Sequence, residues 1–417
     1  MDSQQEKNNR KMLQQAQDIK IIYPPGFSAI ALAETKDILT NLWAAKPFKG
    51  EILQLKTEIR VKRIYFFAIT ELLLRSKCIS DIRLIIYSGK VVGKKAFEKA
   101  CHEVSWDSYL TKSMSLKIKV DSVSSLAFHE GALRDMMHHI ITPYAAEIVS
   151  GDASEETTCV YADLYKDKLI ISISLAGNPL YKRGYRETLS ASAPLREDFA
   201  ACCIQKALDF VKEINPSFSP TKLIIPFSGT GTFAFEYLLN RLQIPLSCFE
   251  RDYAIEKMPF FKKEYFNQIM QKAKKDFALA LNIDCIDSSV SANETLTNNI
   301  KRFNDRLLAY HFPVVPIKSH TMDFFNEDIN AGGDVFMMFN PPYGIRLAKN
   351  SDTPQFYKKI AKKINEISGA NVLGFVLCPS EKTWSSFCNT IKATKIETYH
   401  FTQGGLDIRV CQFYKCF

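Results

Sequence analysis

The alternation of apolar runs with helix-like stretches in the second half of this 417-residue chain constrains its fold more than any other feature. From Leu195 onward, "LREDFAACCIQKALDFVKEI" carries helical spacing, "KLIIPF" reads as a buried strand, and "FAFEYLLNRL" returns to helix. Strand-like "NIDCID", "DVFMMF" and "NVLGFVLCP" follow. Strands separated by helices predict an α/β domain with a mostly parallel sheet covered on both faces. The first half is less regular. Short runs such as "EILQLKTEIRV", "IRLIIYS", "LKIKVDSV" and "KLIISISL" are spaced unevenly by helices, which predicts smaller α+β units. The join is expected near "YKRGYRETLSASAP", where a strand ends and a polar, small-residue segment begins.

Composition narrows the class. With 46% hydrophobic and 24% charged residues, the chain is an ordinary globular sequence. Its longest apolar runs, "IYFFAI" and "DVFMMF", fall well short of the roughly 18 to 20 residues that span a bilayer. The polar start "MDSQQEKNNRKMLQQAQ" lacks a signal-peptide core and reads as a solvated tail or frayed helix. Eleven cysteines without CxxC spacing suit neither a disulfide framework nor a metal knuckle, so a reducing, cytoplasmic setting and no metal are expected. A net charge of +9 is compatible with a polyanionic partner without requiring one.

Four stretches carry candidate chemistry. In "LIIPFSGTGTFAFE", a strand runs through Ser228, Gly229, Thr230, Gly231 and Thr232 into a helix. Glycines there allow a tight turn and the close approach of a nucleoside ligand to backbone N–H groups. No lysine follows as a phosphate loop requires. A dinucleotide site stays possible, with Ala234 as the third small residue and Glu250 on a ribose. Asp287 ends "NIDCID", where a carboxylate can take both hydroxyls of a ribose or simply cap the next helix. Asp323 follows an extended run and could meet an adenine amine.

The fourth stretch, "MMFNPPYGIRL", is the most informative. Pro341 and Pro342 fix two consecutive φ angles and remove two donors, so carbonyls at the strand end join the Asn340 side-chain oxygen in an acceptor cluster. Such a cluster suits an exocyclic amine. Tyr343 adds a flat surface for a flipped-out base.

"NPPYGIRL" resembles the motif of S-adenosylmethionine-dependent amino-group methyltransferases, and Gly344, Arg346 and Leu347 give it the form found in large-subunit (23S) ribosomal RNA guanine-N2 methyltransferases. "LYKRGYRETLSASAPLREDFAACCIQKAL" is similar to the segment joining the family's RNA-binding THUMP domain to its catalytic domain. "GKVVGKKAFEKACHEVSWDSYL" and "LKIKVDSVSSLAFHEGALRDMMHHII" resemble the THUMP domain, "YPPGFSAIALAETKDIL" its ferredoxin-like partner, and "FTQGGLDIRVCQFY" the closing hairpin. The resemblance implies a polar tail (1–20), a ferredoxin-like subdomain (21–85), a THUMP-like domain (86–185) and a Rossmann-like methyltransferase domain (186–417). It implies S-adenosylmethionine held by Ser228 to Thr232, Asp287 and Asp323. Asn340, Pro341, Pro342 and Tyr343 would be the catalytic turn.

It further implies ribosomal RNA as partner, free or in a precursor particle, with phosphates held by Lys94, Lys95, Lys182, Arg183 and Arg186. Departures occur at Ile225, where the family usually has Asp, at Ser228 for Cys, and at Ser289 for a second acid. Three rival readings stay open at this level: an adenine-N6 methyltransferase, a catalytically silent RNA-binding factor, for which Ile225 speaks, and a dinucleotide oxidoreductase using Gly229, Gly231 and Glu250.

Overall fold

The computed structural model describes all residues except 1–2, 44–46, 124, 126–128, 150–156, 187–194, 274, 276–279, 327–331 and 343–352. Two compact units emerge, neither continuous in sequence. The first comprises residues 1–23, 31–182 and 245–273; the second comprises 24–30, 183–244 and 274–417.

The first unit is built on an eight-stranded sheet: β1 (Gln17–Ile22), β2 (Glu51–Gln54), β3 (Ile59–Ile64), β4 (Asp81–Lys90), β5 (Ser115–Val123), β6 (Glu147–Ile148), β7 (Thr158–Tyr165) and β8 (Lys168–Ser174). Their order across the sheet is β2-β3-β1-β4-β8-β7-β5-β6. Helices α1 (Ser3–Gln14), α2 (Ser28–Thr40), α3 (Phe66–Arg75), α4 (Lys94–Glu103) and α5 (Glu130–Ile141) accompany these strands in the chain. Alternation fixes which face of the sheet is buried: along β5, Leu116, Ile118 and Val120 enter the core while Lys119 and Asp121 face solvent.

Two expectations change here. Of the two readings of the start, solvated tail or frayed helix, a helix is present as α1, and the boundary expected at 20/21 falls inside β1. Strand β4 runs across the expected boundary at 85/86 and pairs with both β1 and β8, so the segments expected as two subdomains share one sheet.

The second unit holds α6 (Glu197–Lys212), β9 (Lys222–Pro226) and α7 (Thr232–Arg241). The chain then contributes α8 (Lys263–Lys272) to the first unit before β10 (Asn282–Asp287), α9 (Val290–Ala309), β11 (Ile317–Thr321), β12 (Gly333–Phe339), α10 (Thr353–Asn365), β13 (Ala370–Cys378), α11 (Glu381–Cys388), β14 (Lys395–Gln403) and β15 (Leu406–Lys415). The sheet order is β11-β10-β9-β12-β13-β15-β14. From β11 to β13 all pairs are parallel, and the β14–β15 hairpin closes the sheet antiparallel.

Residues Val335 to Phe339 of β12 are all buried, which is why the run reads as continuously apolar rather than alternating. Helix α10 buries Tyr357, Ile360, Ala361 and Ile364, one stripe at helical spacing, and turns lysines outward. Within this unit, the short segment 24–30 inserts Phe27 among Phe199, Tyr399 and Phe401, with ring centroids 6.0, 5.9 and 5.3 Å away.

Candidate active site

The strand order defines where a ligand can sit. From β9 the chain moves outward on one side to β10 and β11, then returns to place β12 on the other side. That reversal is a topological switch point, and open α/β sheets take ligands beyond the carboxyl ends of the strands at such a point, here β9 and β12. Residues 228–231 follow β9, Asp287 ends β10, Asp323 lies just past β11, and Asn340 to Pro342 follow β12.

The glycine loop is tightly built. Phe227, the residue that leaves β9, has φ +55°, a left-handed conformation disfavoured for an aromatic side chain. Its ring packs among Phe324, Phe325 and Phe356, with centroids 5.9, 6.3 and 5.4 Å away. Gly231 has φ +89°, and a Cβ there would fall 2.4 Å from Leu296. The backbone conformation there favours glycine, and a side chain would also have to displace Leu296. Gly229 (φ +52°) has open space where a Cβ would project, so its backbone is approachable.

Asp287 binds this loop directly. One carboxylate oxygen accepts from Gly229 N at 2.9 Å and the other from Ser289 N at 2.9 Å. The cap of α9 is Ser289, whose hydroxyl accepts from Ala292 N, so Asp287 is not the helix cap. Each carboxylate oxygen has more than one acceptor site, which leaves capacity on both for ligand hydroxyls. The hydroxyls of Ser228 and Thr230 are buried and have no hydrogen-bond partner among the described residues. Buried polar atoms without partners are uncommon in folded proteins, and here two occur in one loop beside a half-buried carboxylate. A polar nucleoside ligand fits that donor and acceptor set.

Two asparagines escaped the sequence reading. Asn293 donates from its amide to the carbonyls of Asp287 and Ser289 at 2.9 and 3.0 Å, and Asn299 donates to Thr230 O at 3.2 Å. Both are buried on α9, interrupting the apolar stripe of Leu296, Phe303 and Leu307. Polar residues on an otherwise apolar helical stripe were the available signal.

Asp323 is exposed and accepts from Phe325 N at 3.0 Å, while its neighbour Met322 donates to Asp287 O at 3.1 Å. Asn340 and Pro342 are half-buried and Pro341 is buried. Tyr343, with Gly344, Arg346 and Leu347, lies outside the described residues. Ile225 is 1% exposed inside β9, opposite Cys285 of β10, so an apolar contact stands where an acid was expected. Glu250 lies on no strand of this sheet and falls in the first unit. Burial pushes the Cys285 and Cys378 thiols well above their ordinary values, leaving them unreactive core residues.

The basic candidates divide. Lys94 and Lys95 are exposed in the first turn of α4, and Lys182 is exposed as well. Arg183 is corrected by the structure: it is fully buried, and its guanidinium donates to both oxygens of Glu236 on α7 at 3.2 and 3.1 Å. Tyr185 donates to the same carboxylate at 2.9 Å. Burial alone lowers the Arg183 guanidinium, and adjacent Glu236 more than reverses this. Arg186 also turns inward, 2.5 Å from Glu197 and donating to the Thr232 hydroxyl at 3.0 Å. These two arginines brace α6 and α7 and are not available to RNA phosphates.

Comparison with known proteins follows the same geometry. The family described as "UPF0020: RMKL-like, methyltransferase domain" matches residues 183–410. The chain is 22% identical over 302 residues to "Ribosomal RNA large subunit methyltransferase K/L" of Legionella pneumophila subsp. pneumophila (strain Philadelphia 1), covering 71% of this chain and 41% of that protein. It thus spans less than half the length of the curated relatives it matches. Among solved structures, SMU.472 complexed with SAH superposes with a TM-score of 0.73 at 19% identity, covering 97% of this chain and 99% of that one. A predicted N6-adenine-specific DNA methylase from Listeria monocytogenes str. 4b F2365 gives 0.74 at 17% identity, with 98% of each chain covered. At these identities the two structures establish the fold.

Proposed function

The chain belongs to the RMKL-like methyltransferase family, and from that premise we propose that it transfers the methyl group of S-adenosylmethionine to the exocyclic N2 amine of a guanine in large-subunit ribosomal RNA, in the cytoplasm. One observation carries the reading: a loop with two buried hydroxyls that lack a partner among the described residues, braced by Asp287, lies at the carboxyl end of β9, next to the strand that carries the Asn340-Pro341-Pro342 turn.

S-adenosylmethionine supplies a methyl group on a positively charged sulfur, open to displacement. Asp287 takes the ribose hydroxyls with the remaining acceptor capacity of its two oxygens. Ser228 and Thr230 meet polar atoms of the same ligand, and exposed Asp323 accepts from the adenine amine. On the opposite side, the Asn340 side-chain oxygen and the Pro341 carbonyl accept the two hydrogens of the guanine amine. That pairing favours a pyramidal nitrogen whose lone pair is no longer spread into the ring. With the cofactor bound, its methyl group would pass to the amine held by Asn340 and Pro341, and the surplus proton of that amine would leave to water. Alignment at about 3 to 3.5 Å supplies much of the rate advantage, so no strong base is needed. Tyr343 stacks on the extruded base. Lys94, Lys95 and Lys182 contribute phosphate contacts, which weaken as salt rises.

The names of the curated relatives support the RNA and the large subunit. The test is calorimetric titration of S-adenosylmethionine, then mass spectrometry of ribosomal RNA treated with parent or Asn340→Ala protein. The expected outcome is micromolar cofactor binding and N2-methylguanine that disappears in the variant while folding and RNA binding persist. Methyl on adenine N6 would replace the substrate assignment, and an absence of cofactor binding would favour the silent RNA-binding factor.

A further inference from the structure

The first unit's sheet has one face on its core and the other carrying an exposed row that no part of the catalytic reading uses. Val123 of β5 pairs with Tyr165 of β7, Tyr165 with Lys168 of β8, and Lys168 with Lys90 of β4. Residues paired in register project to the same face, so the four form a single row across four strands, about 14 Å wide at the usual strand spacing. All four are exposed, Tyr165 at 56% and Val123 at 55%. On the same face, exposed Lys119 lies 5.3 Å from the Tyr161 ring.

The turn that presents Tyr165 is a second, independent observation. Lys166 and Asp167 have φ +47° and +60°, left-handed at both central positions of a two-residue hairpin. Such a turn ordinarily uses Asn-Gly. Here two non-glycine residues occupy it, and the exposed Lys166 Nζ sits 5.3 Å from the Tyr165 ring. Lys90, Lys119, Lys166 and Lys168 outnumber the nearby Asp121, Asp163 and Asp167, and Asp163 is paired with Lys20. A flat ring set among lysines on a sheet face is the chemistry by which single-stranded nucleic acid is held, through stacking on the base and ion pairing with flanking phosphates.

We propose that this row is a docking surface for an unpaired stretch of RNA, with Tyr165 stacked on a base and Lys90, Lys166 and Lys168 on the neighbouring phosphates. The surface rests on the RNA reading above and names the form of RNA that it takes. A duplex offers no exposed base face to Tyr165, so the surface selects loops or opened strands.

The test uses the full chain with a short labelled single-stranded RNA of mixed sequence and a duplex of equal length, titrated by anisotropy at several salt concentrations. Tyr165→Ala is expected to weaken single-strand binding about 5- to 150-fold. Tyr165→Phe retains the ring and should bind like the parent. The double change Lys90→Ala with Lys168→Ala should flatten the slope of log affinity against log salt by about 1.4. Unchanged single-strand binding in Tyr165→Ala, or a preference of the parent for duplex, overturns the surface while leaving methyl transfer untouched. A parent chain that binds neither RNA overturns the surface together with the RNA arm of the proposed function, and cofactor titration of that protein tells whether the methyltransferase reading survives.

Discussion

Single side chains in the second unit serve two purposes at once. Asp287 is both a candidate ribose acceptor and the strut between Gly229 and Ser289. In Asp287→Asn, one of those N–H groups faces an amide donor, so the loop loses a charge-assisted bond as well as a ligand contact. A stability loss of about 1 to 3 kcal/mol is expected from denaturant titration without cofactor, alongside weakened cofactor binding. Equal stability of variant and parent would show that the strut is unimportant. Arg183 presents the opposite case. Arg183→Ala strands Glu236 in a site where both partners are fully buried, a change that typically costs about 3 to 5 kcal/mol. Its signature is a lowered unfolding midpoint with unaltered RNA affinity in the folded protein. From sequence, "YKRGYRE" reads as a basic patch because Glu236 lies 53 residues further on, beyond any local window. Asn340 was legible for the converse reason: its significance comes from adjacent prolines.

At the level of elements, the sequence was most readable where the hydrophobic pattern had one explanation. β9 and β10 lie within runs expected as strands, β12 and β13 begin one residue before theirs, and the alternation with helices implied the parallel pairing. β1 and β7 were not among the quoted runs, and their place in the sheet depends on long-range pairings that periodicity does not reveal. Those same strands and helices sequester thiols. Of the eleven cysteines, Cys416 is exposed, Cys388 is partly so, and the rest are buried. Native protein should therefore expose one or two thiols to an aromatic disulfide reagent, with the remainder reacting only in denaturant. Rapid modification of four or more without denaturant would contradict the burial of Cys202, Cys203, Cys285 and Cys378.

Over the whole molecule, reading boundaries as cuts in a line was the main obstacle, because each unit draws on three separated segments. A fragment that begins at residue 186, where the sequence placed the boundary, discards Arg183 and Phe27. Phe27 is 1% exposed, and Phe27→Ala is expected to destabilise the second unit by about 3 to 5 kcal/mol. A fragment of 183–417 should melt below the full chain and regain stability when residues 24–30 are grafted on. If it melts with the parent, Phe27 is dispensable. The same interleaving sets a clock on biosynthesis. Phe27 emerges from the ribosome early, but its ring partners Tyr399 and Phe401 are made roughly 370 residues later. At about 5 to 20 residues per second, that aromatic side chain waits some 20 to 70 s for its site, an interval in which a nascent-chain chaperone has something to cover.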